Sequence, residues 1–231
     1  MSTYFIAGGS SGIGNSLAEM LAGEGHTVYA TYNRNRKEST GSIQYLNWAA
    51  QATDQPELIL PETLDGLAYC PGSINLKPFS RIKPEEFLAD FNLQVVGAVK
   101  LIQQVLPLLR KSANPSVVLF STVAVQKGLP FHSQVSASKG AIEGLTRALA
   151  AEFAPSIRVN CIAPSLTDTP LAASLLNTEQ KKEANALRHP MKRVGTARDI
   201  AEMAAFLLSA KSSWMTGQII GVDGGMGSLG S

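Results

Sequence analysis

Lys139 lies in "SQVSASKGAIEG" (133–144), which reads as the start of a helix whose first turns are almost entirely small residues. Residues four apart share a helix face, so Val135 and Lys139 point at the same surroundings. A lysine aimed into a closely packed region is a candidate for chemistry. A second candidate is "FIAGGSSGIGNSLAEML", which places Gly8, Gly12 and Gly14 between a strand-like run and a helical one. Such a turn lets the backbone approach a pyrophosphate, and the helix start offers free N–H groups and the positive end of its dipole. Its spacing is G-x-x-x-G-x-G, and a purely structural glycine turn is the alternative. Near the end of the second strand-like run, "ATYNRNRK" has Tyr32 and no carboxylate before Glu38. An acid there would bind an adenosine ribose and repel a 2′-phosphate, whereas Arg34 and Arg36 would pair with one. The alternative for the arginines is a solvated loop. Among the histidines, His26 and His189 read as surface residues, and no pair has metal-ligand spacing, so no metal site is expected.

The elements that must position these groups alternate along the chain. Strand-like runs are "TYFIA" (3–7), "TVYAT" (27–31), "SIQYL" (42–46), "LDGLAYC" (64–70), "SVVLFS" (116–121), "IRVNCIA" (157–163) and "QIIGVD" (218–223). Helical patterns fall between them, from Gly12, over about 84–110 with a break near Asn92, and over roughly 135–153, 170–188 and 197–210. The alternation predicts right-handed βαβ units in one doubly wound, Rossmann-like α/β domain spanning 1–231, its seven-stranded parallel sheet covered by helices on both faces. Continuous apolar strands such as "VVLF" fit burial on both sides. Between the third and fourth strands, the polar and proline-containing stretch 32–63 leaves room for only a reduced helix or loops.

Composition narrows the function classes. The apolar share is 45%, the charged share 16% and the formal net charge +2, an ordinary globular profile without a basic stripe for nucleic acid. No apolar run approaches membrane-spanning length and no charged-then-apolar leader is present, so a cytoplasmic protein without membrane contact is expected. Cys70 and Cys161 read as reduced, buried thiols.

Several motifs together resemble the short-chain dehydrogenase/reductase family, close to the 3-oxoacyl-carrier-protein reductase type, over nearly the whole chain. They are "AGGSSGIG", "FNLQVVG", the lysine of "VSASK", "IRVNCIAPSLTDTP" with Ser165 replacing a glycine, and the tail "WMTGQIIGVDGGM". "DGLAYCPGS" stands where the family carries Asn-Asn-Ala-Gly, of which only Gly72 matches. The resemblance implies a nicotinamide cofactor, NADP(H) favoured over NAD(H) by the arginines, and hydride transfer between that cofactor and a small carbonyl or alcohol. It implies cofactor contacts from Gly8, Ser10, Ser11, Gly12, Ile13, Gly14, Tyr32, Asn33, Arg34, Cys70, Gly72, Lys139, Pro164 and Thr169. It also implies a homo-oligomer, a dimer or a tetramer, and a substrate-covering segment over 170–190.

For catalysis the resemblance implies Asn92 as the active-site asparagine, Thr122 at the serine position and Lys139 as the ribose-holding lysine. The tyrosine position is Val135, which has no proton to give. A positioned general acid contributes roughly 10²–10⁴-fold, about 3–5 kcal/mol. Holding the reactants together contributes roughly 7–11 kcal/mol, so slow turnover survives its loss. His132, just before the helix, is the possible surrogate, with a loop histidine at the cleft rim as the alternative. A catalytically inactive dinucleotide-binding sensor, or a partner subunit within an oligomer of relatives, is the competing reading.

Overall fold

A computed structural model describes residues 1–52 and 58–229. Its elements are β1 (Thr3–Ala7), α1 (Gly12–Gly23), β2 (Thr27–Tyr32), β3 (Ile43–Asn47), β4 (Gly66–Tyr69), α2 (Pro84–Phe91), α3 (Gly97–Leu109), β5 (Ser116–Phe120), α4 (Val123–Lys127), α5 (Ser133–Phe153), β6 (Arg158–Pro164), β7 (Thr167–Asp168), α6 (Glu179–Leu187), β8 (Gly195–Thr196), α7 (Ala197–Leu208) and β9 (Ile219–Val222). Among the described residues, seven strands form one sheet in the order β3-β2-β1-β4-β5-β6-β9, every pairing parallel. Of the stretch 32–63, residues 53–57 lie outside the described residues, and the rest holds β3 and turns but no helix.

Strand alternation sorts the core into two layers. In β1, Phe5 and Ala7 face α3 and α5, where Leu101, Val105, Leu109, Ile142 and Phe153 are buried. Tyr4 and Ile6 face the opposite layer, which takes Leu17 and Leu21 from α1 and Ile200, Ala204 and Leu207 from α7. Each such fully buried leucine or isoleucine contributes roughly 1.5–3 kcal/mol. The helical stretch Pro84–Leu109 is long and apolar enough by composition to cross a membrane. Here α3 lays its apolar side, Leu101, Ile102 and Val105, into the sheet core.

Two helical expectations change in the structure. The break near Asn92 is a π-turn, Asn92–Val96, inserted between α2 and α3. The single helix expected over 170–188 is two pieces, a 3₁₀ turn Pro170–Leu175 and α6. Thr178 starts α6 anew, its hydroxyl oxygen accepting from the Lys181 N–H at 3.2 Å.

The sheet order reverses at β1, which pairs with β2 on one side and β4 on the other. The crevice at the carboxyl ends of β1 and β4 is therefore the place where this topology accepts ligands. Gly14 closes α1 onto the turn beside it: a Cβ there would lie 2.4 Å from the Gly8 carbonyl oxygen. Gly14→Ala is expected to lower the unfolding free energy by about 1–3 kcal/mol, read from urea denaturation.

Candidate active site

The turn between β1 and α1 holds Gly8 and Gly12 in left-handed backbone, φ +72° and +54°, which favours glycine. Gly8 donates its N–H to Thr31 Oγ1 at 2.9 Å, fixing the turn to the end of β2. The Ser11 side chain caps no helical N–H, and the first turn of α1 carries no acid. Its open N–H groups and positive dipole end therefore face the crevice.

That crevice is a cleft of about 750 Å³. Gly8, Ser10, Ser11, Gly12, Ile13 and Gly14 line one end, with Asn33 and Arg34 beside them. Cys70, Gly72, Pro164 and Thr169 continue the wall toward Thr122, His132, Val135 and Lys139. Tyr32 and Arg36 do not line the cleft. Alternation along β2 gives Thr31 to the glycine turn and turns Tyr32 away. Asn35 lines the cleft as well. Lys37 folds back onto α1 instead, donating to Asn15 and pairing with Glu19 at 3.6 Å.

Asn92 is also misplaced by the sequence reading: it is exposed and outside the cleft wall. The π-turn presents Gln94 there, fully buried. The Tyr69 hydroxyl fixes this turn by donating to the Leu93 carbonyl at 2.6 Å. Gln94 Nε2 donates to both oxygens of Asp90 at 2.8 Å. Its Oε1 is buried without a hydrogen-bond partner among the described residues and lies 3.4 Å from where a Gly72 Cβ would be. Asp90, 4% exposed, also accepts from Ser138 Oγ at 2.6 Å and from Ser73 Oγ. One carboxylate thus joins α2, the π-turn, α5 and the loop after β4. Ser138 faces α2 rather than solvent because it lies one helical turn beyond Val135.

Lys139 Nζ comes within 3.7 Å of the same Gly72 Cβ position and has no hydrogen-bond partner among the described residues. Desolvation pushes its pKa down to about 8, opposed by Cys161, Asp90 and Cys70. Burial pushes the Cys70 thiol up to about 12, Lys139 acting against it, so Cys70 is no thiolate nucleophile at neutral pH. Thr122 caps α4, its Oγ1 accepting from the Ala124 N–H at 3.3 Å, which leaves its own hydrogen for the cleft. Ser121 donates to Glu143 Oε1 at 2.7 Å. Val135 is 6% exposed and gives the wall beside Lys139 an apolar surface. His132 stands at the rim, with Nδ1 2.7 Å from the Pro130 carbonyl oxygen.

His189, read from sequence as a surface residue, is 3% exposed and lines the cleft. Its Nε2 is 2.8 Å from Ser165 Oγ and its Nδ1 is 2.8 Å from the Asn185 carbonyl oxygen. The basic residues around it in "LRHPMKR" concealed a burial that long-range packing creates. Ser165, standing where the family motif has glycine, was the available signal.

A family model described as Enoyl-(Acyl carrier protein) reductase matches residues 50–227. A tropinone reductase homologue of Arabidopsis thaliana is 33% identical, over 96% of this chain and 91% of its own. The 3-oxoacyl-(acyl-carrier-protein) reductase of Thermotoga maritima is 31% identical, over 96% of both chains. A short chain dehydrogenase family protein from Francisella tularensis is 26% identical and superimposes with a TM-score of 0.90, over 99% of this chain and 100% of that one. Asp90→Ala, which strands Gln94, Ser138 and Ser73, is expected to cost on the order of 3 kcal/mol in urea denaturation.

Proposed function

This chain belongs to the short-chain dehydrogenase/reductase family of oxidoreductases, whose members use nicotinamide cofactors, and we propose that it is an NADP(H)-dependent reductase of small carbonyl compounds with slow turnover. The observation that carries this reading is one cleft holding the glycine turn, the unpaired Lys139 ammonium and, one helical turn from it, Val135. The cofactor, when bound, supplies the hydride. The cradle fits such a group: left-handed glycines and open N–H groups receive a pyrophosphate, and Lys139 holds a ribose hydroxyl. Arg34 in the cleft wall and the absence of an acid at the end of β2 favour a 2′-phosphate. Thr122 donates to the substrate oxygen. Val135 contributes surface and no proton, which supports slow chemistry rather than efficient turnover. The same apolar wall supports a second reading, a dinucleotide-binding sensor or partner subunit without turnover. A homo-oligomer, dimer or tetramer, in the cytoplasm completes the proposal.

Val135→Tyr is expected to raise NADPH oxidation with acetoacetyl thioesters at least about tenfold. No gain despite unchanged NADPH binding would favour the sensor reading. The Lys139 charge is present below about pH 8 and lost above it. NADPH affinity, read by fluorescence quenching, should therefore weaken as the pH rises through about 8, and Lys139→Met should remove that dependence.

A further inference from the structure

Ser165 and His189 form a hydrogen-bonded pair in the cleft wall that the reading above does not use. Ser165 follows β6 directly, its carbonyl oxygen accepting from Thr167 Oγ1 at 3.0 Å. His189 follows α6 and packs on Gly224, where a Cβ would lie 3.6 Å from the histidine Cβ and Cδ2. A carbonyl oxygen only accepts, so the contact with Asn185 places a hydrogen on Nδ1. The neutral ring then presents a bare Nε2 to the Ser165 hydroxyl at 2.8 Å, and the charged ring donates to it. Two residues far apart in the chain are held in the geometry that moves a proton between them.

The pair also separates two spaces. Ser165 and His189 line the large cleft and a cavity of about 90 Å³ behind it. The other charged groups lining that cavity are Arg193, Asp199 and Asp223. Asp199 is taken by Arg193, at 2.6 and 2.8 Å, and by Thr196. Asp223 is taken by the N–H groups of Gly225 and Gly227 at 2.9 and 2.8 Å. Neither competes for the imidazole. The lining of that cavity includes Arg193, whose side chain is 54% exposed. His132 lacks these features: its ring lies at the rim, and its Nε2 meets no relay hydroxyl among the described residues.

We propose that Ser165 and His189 are the proton relay of this cleft, Ser165 giving its proton to the substrate carbonyl oxygen and His189 resupplying Ser165. The proposal rests on the carbonyl-reductase reading above. The step balances: the carbonyl carbon takes the hydride pair of NADPH and the C=O π bond opens. Starting from the charged ring, the oxygen would take the Ser165 proton, Ser165 the His189 Nε2 proton, and the imidazole left with hydrogen on Nδ1 would regain one H⁺ from solvent. An alcohol and NADP⁺ leave.

The test compares the wild type with Ser165→Gly, which installs the glycine of the family motif, and with His189→Gln, using NADPH and an acetoacetyl thioester. Each variant is expected to lower kcat about 100-fold, with NADPH dissociation constants within about threefold of wild type. The double variant should be no slower than the slower single, because the two act as a unit. In cofactor-free protein, ¹⁵N NMR of the imidazole should show His189 with hydrogen on Nδ1 and an Nε2 resonance that shifts on Ser165→Gly. Single variants that keep the wild-type kcat, or an Nε2 resonance unmoved by Ser165→Gly, overturn the relay and leave the reductase reading standing. Wild-type protein that binds NADPH but never oxidises it with the thioester overturns both. Removing the buried ring in His189→Gln can loosen α6, so Ser165→Gly carries the test if that variant fails to fold.

Discussion

Asp90 is a carboxylate sealed among three side chains that give it hydrogen bonds, Gln94, Ser138 and Ser73, which come from three separate segments. A charge withdrawn from water must be repaid by local donors, so these segments have one relative arrangement that satisfies it. The consequence reaches Lys139 twice. Ser138 is its neighbour on α5, and the negative charge nearby helps keep the ammonium protonated against desolvation. The loop carrying Gly72 and Ser73 is held where its backbone can approach that ammonium. The site is thus organised from behind, by a carboxylate that does not itself line the cleft.

The chemistry follows from what this arrangement presents. One end of the cleft offers glycine backbone and a helix start, groups that attract phosphate without side-chain ordering. The other offers an ammonium, a hydroxyl and an aliphatic wall. In the proposed reading, binding is separated from proton supply, which a Tyr-x-x-x-Lys pair would unite on one helix face. Lys139 keeps the first on α5. The second falls to Ser165 and His189, which follow β6 and α6.

What could be read from the sequence divides along the range of the interactions. The strands, the glycine turn and the helices α1, α5 and α7 rest on local periodicity and spacing, and they lie where the pattern puts them to within a few residues. The contributions of Gly8, Gly12 and Gly14 were legible because a turn is a local object. Asn92 and Gln94 exchanged places because the π-turn inserts an extra residue per turn and so rotates the helix face, which no 3.6-residue periodicity predicts. Tyr32 failed by one step of strand alternation. His189 failed because its burial depends on Ser165 and Gly224, both distant in sequence, while most of its neighbours in the chain are exposed. The Asp90 cluster was invisible for the same reason: its partners are 4, 17 and 48 residues away.

The piece of chain between Thr169 and Pro190 has a double occupation. Leu171, Leu175 and Arg188 line the cleft. The same piece carries Asn185, which orients the imidazole, and leads directly into His189. Ser165, by contrast, is fixed to the end of β6. The distance between imidazole and serine is therefore set jointly by two separate pieces of chain, the turn after α6 and the end of β6.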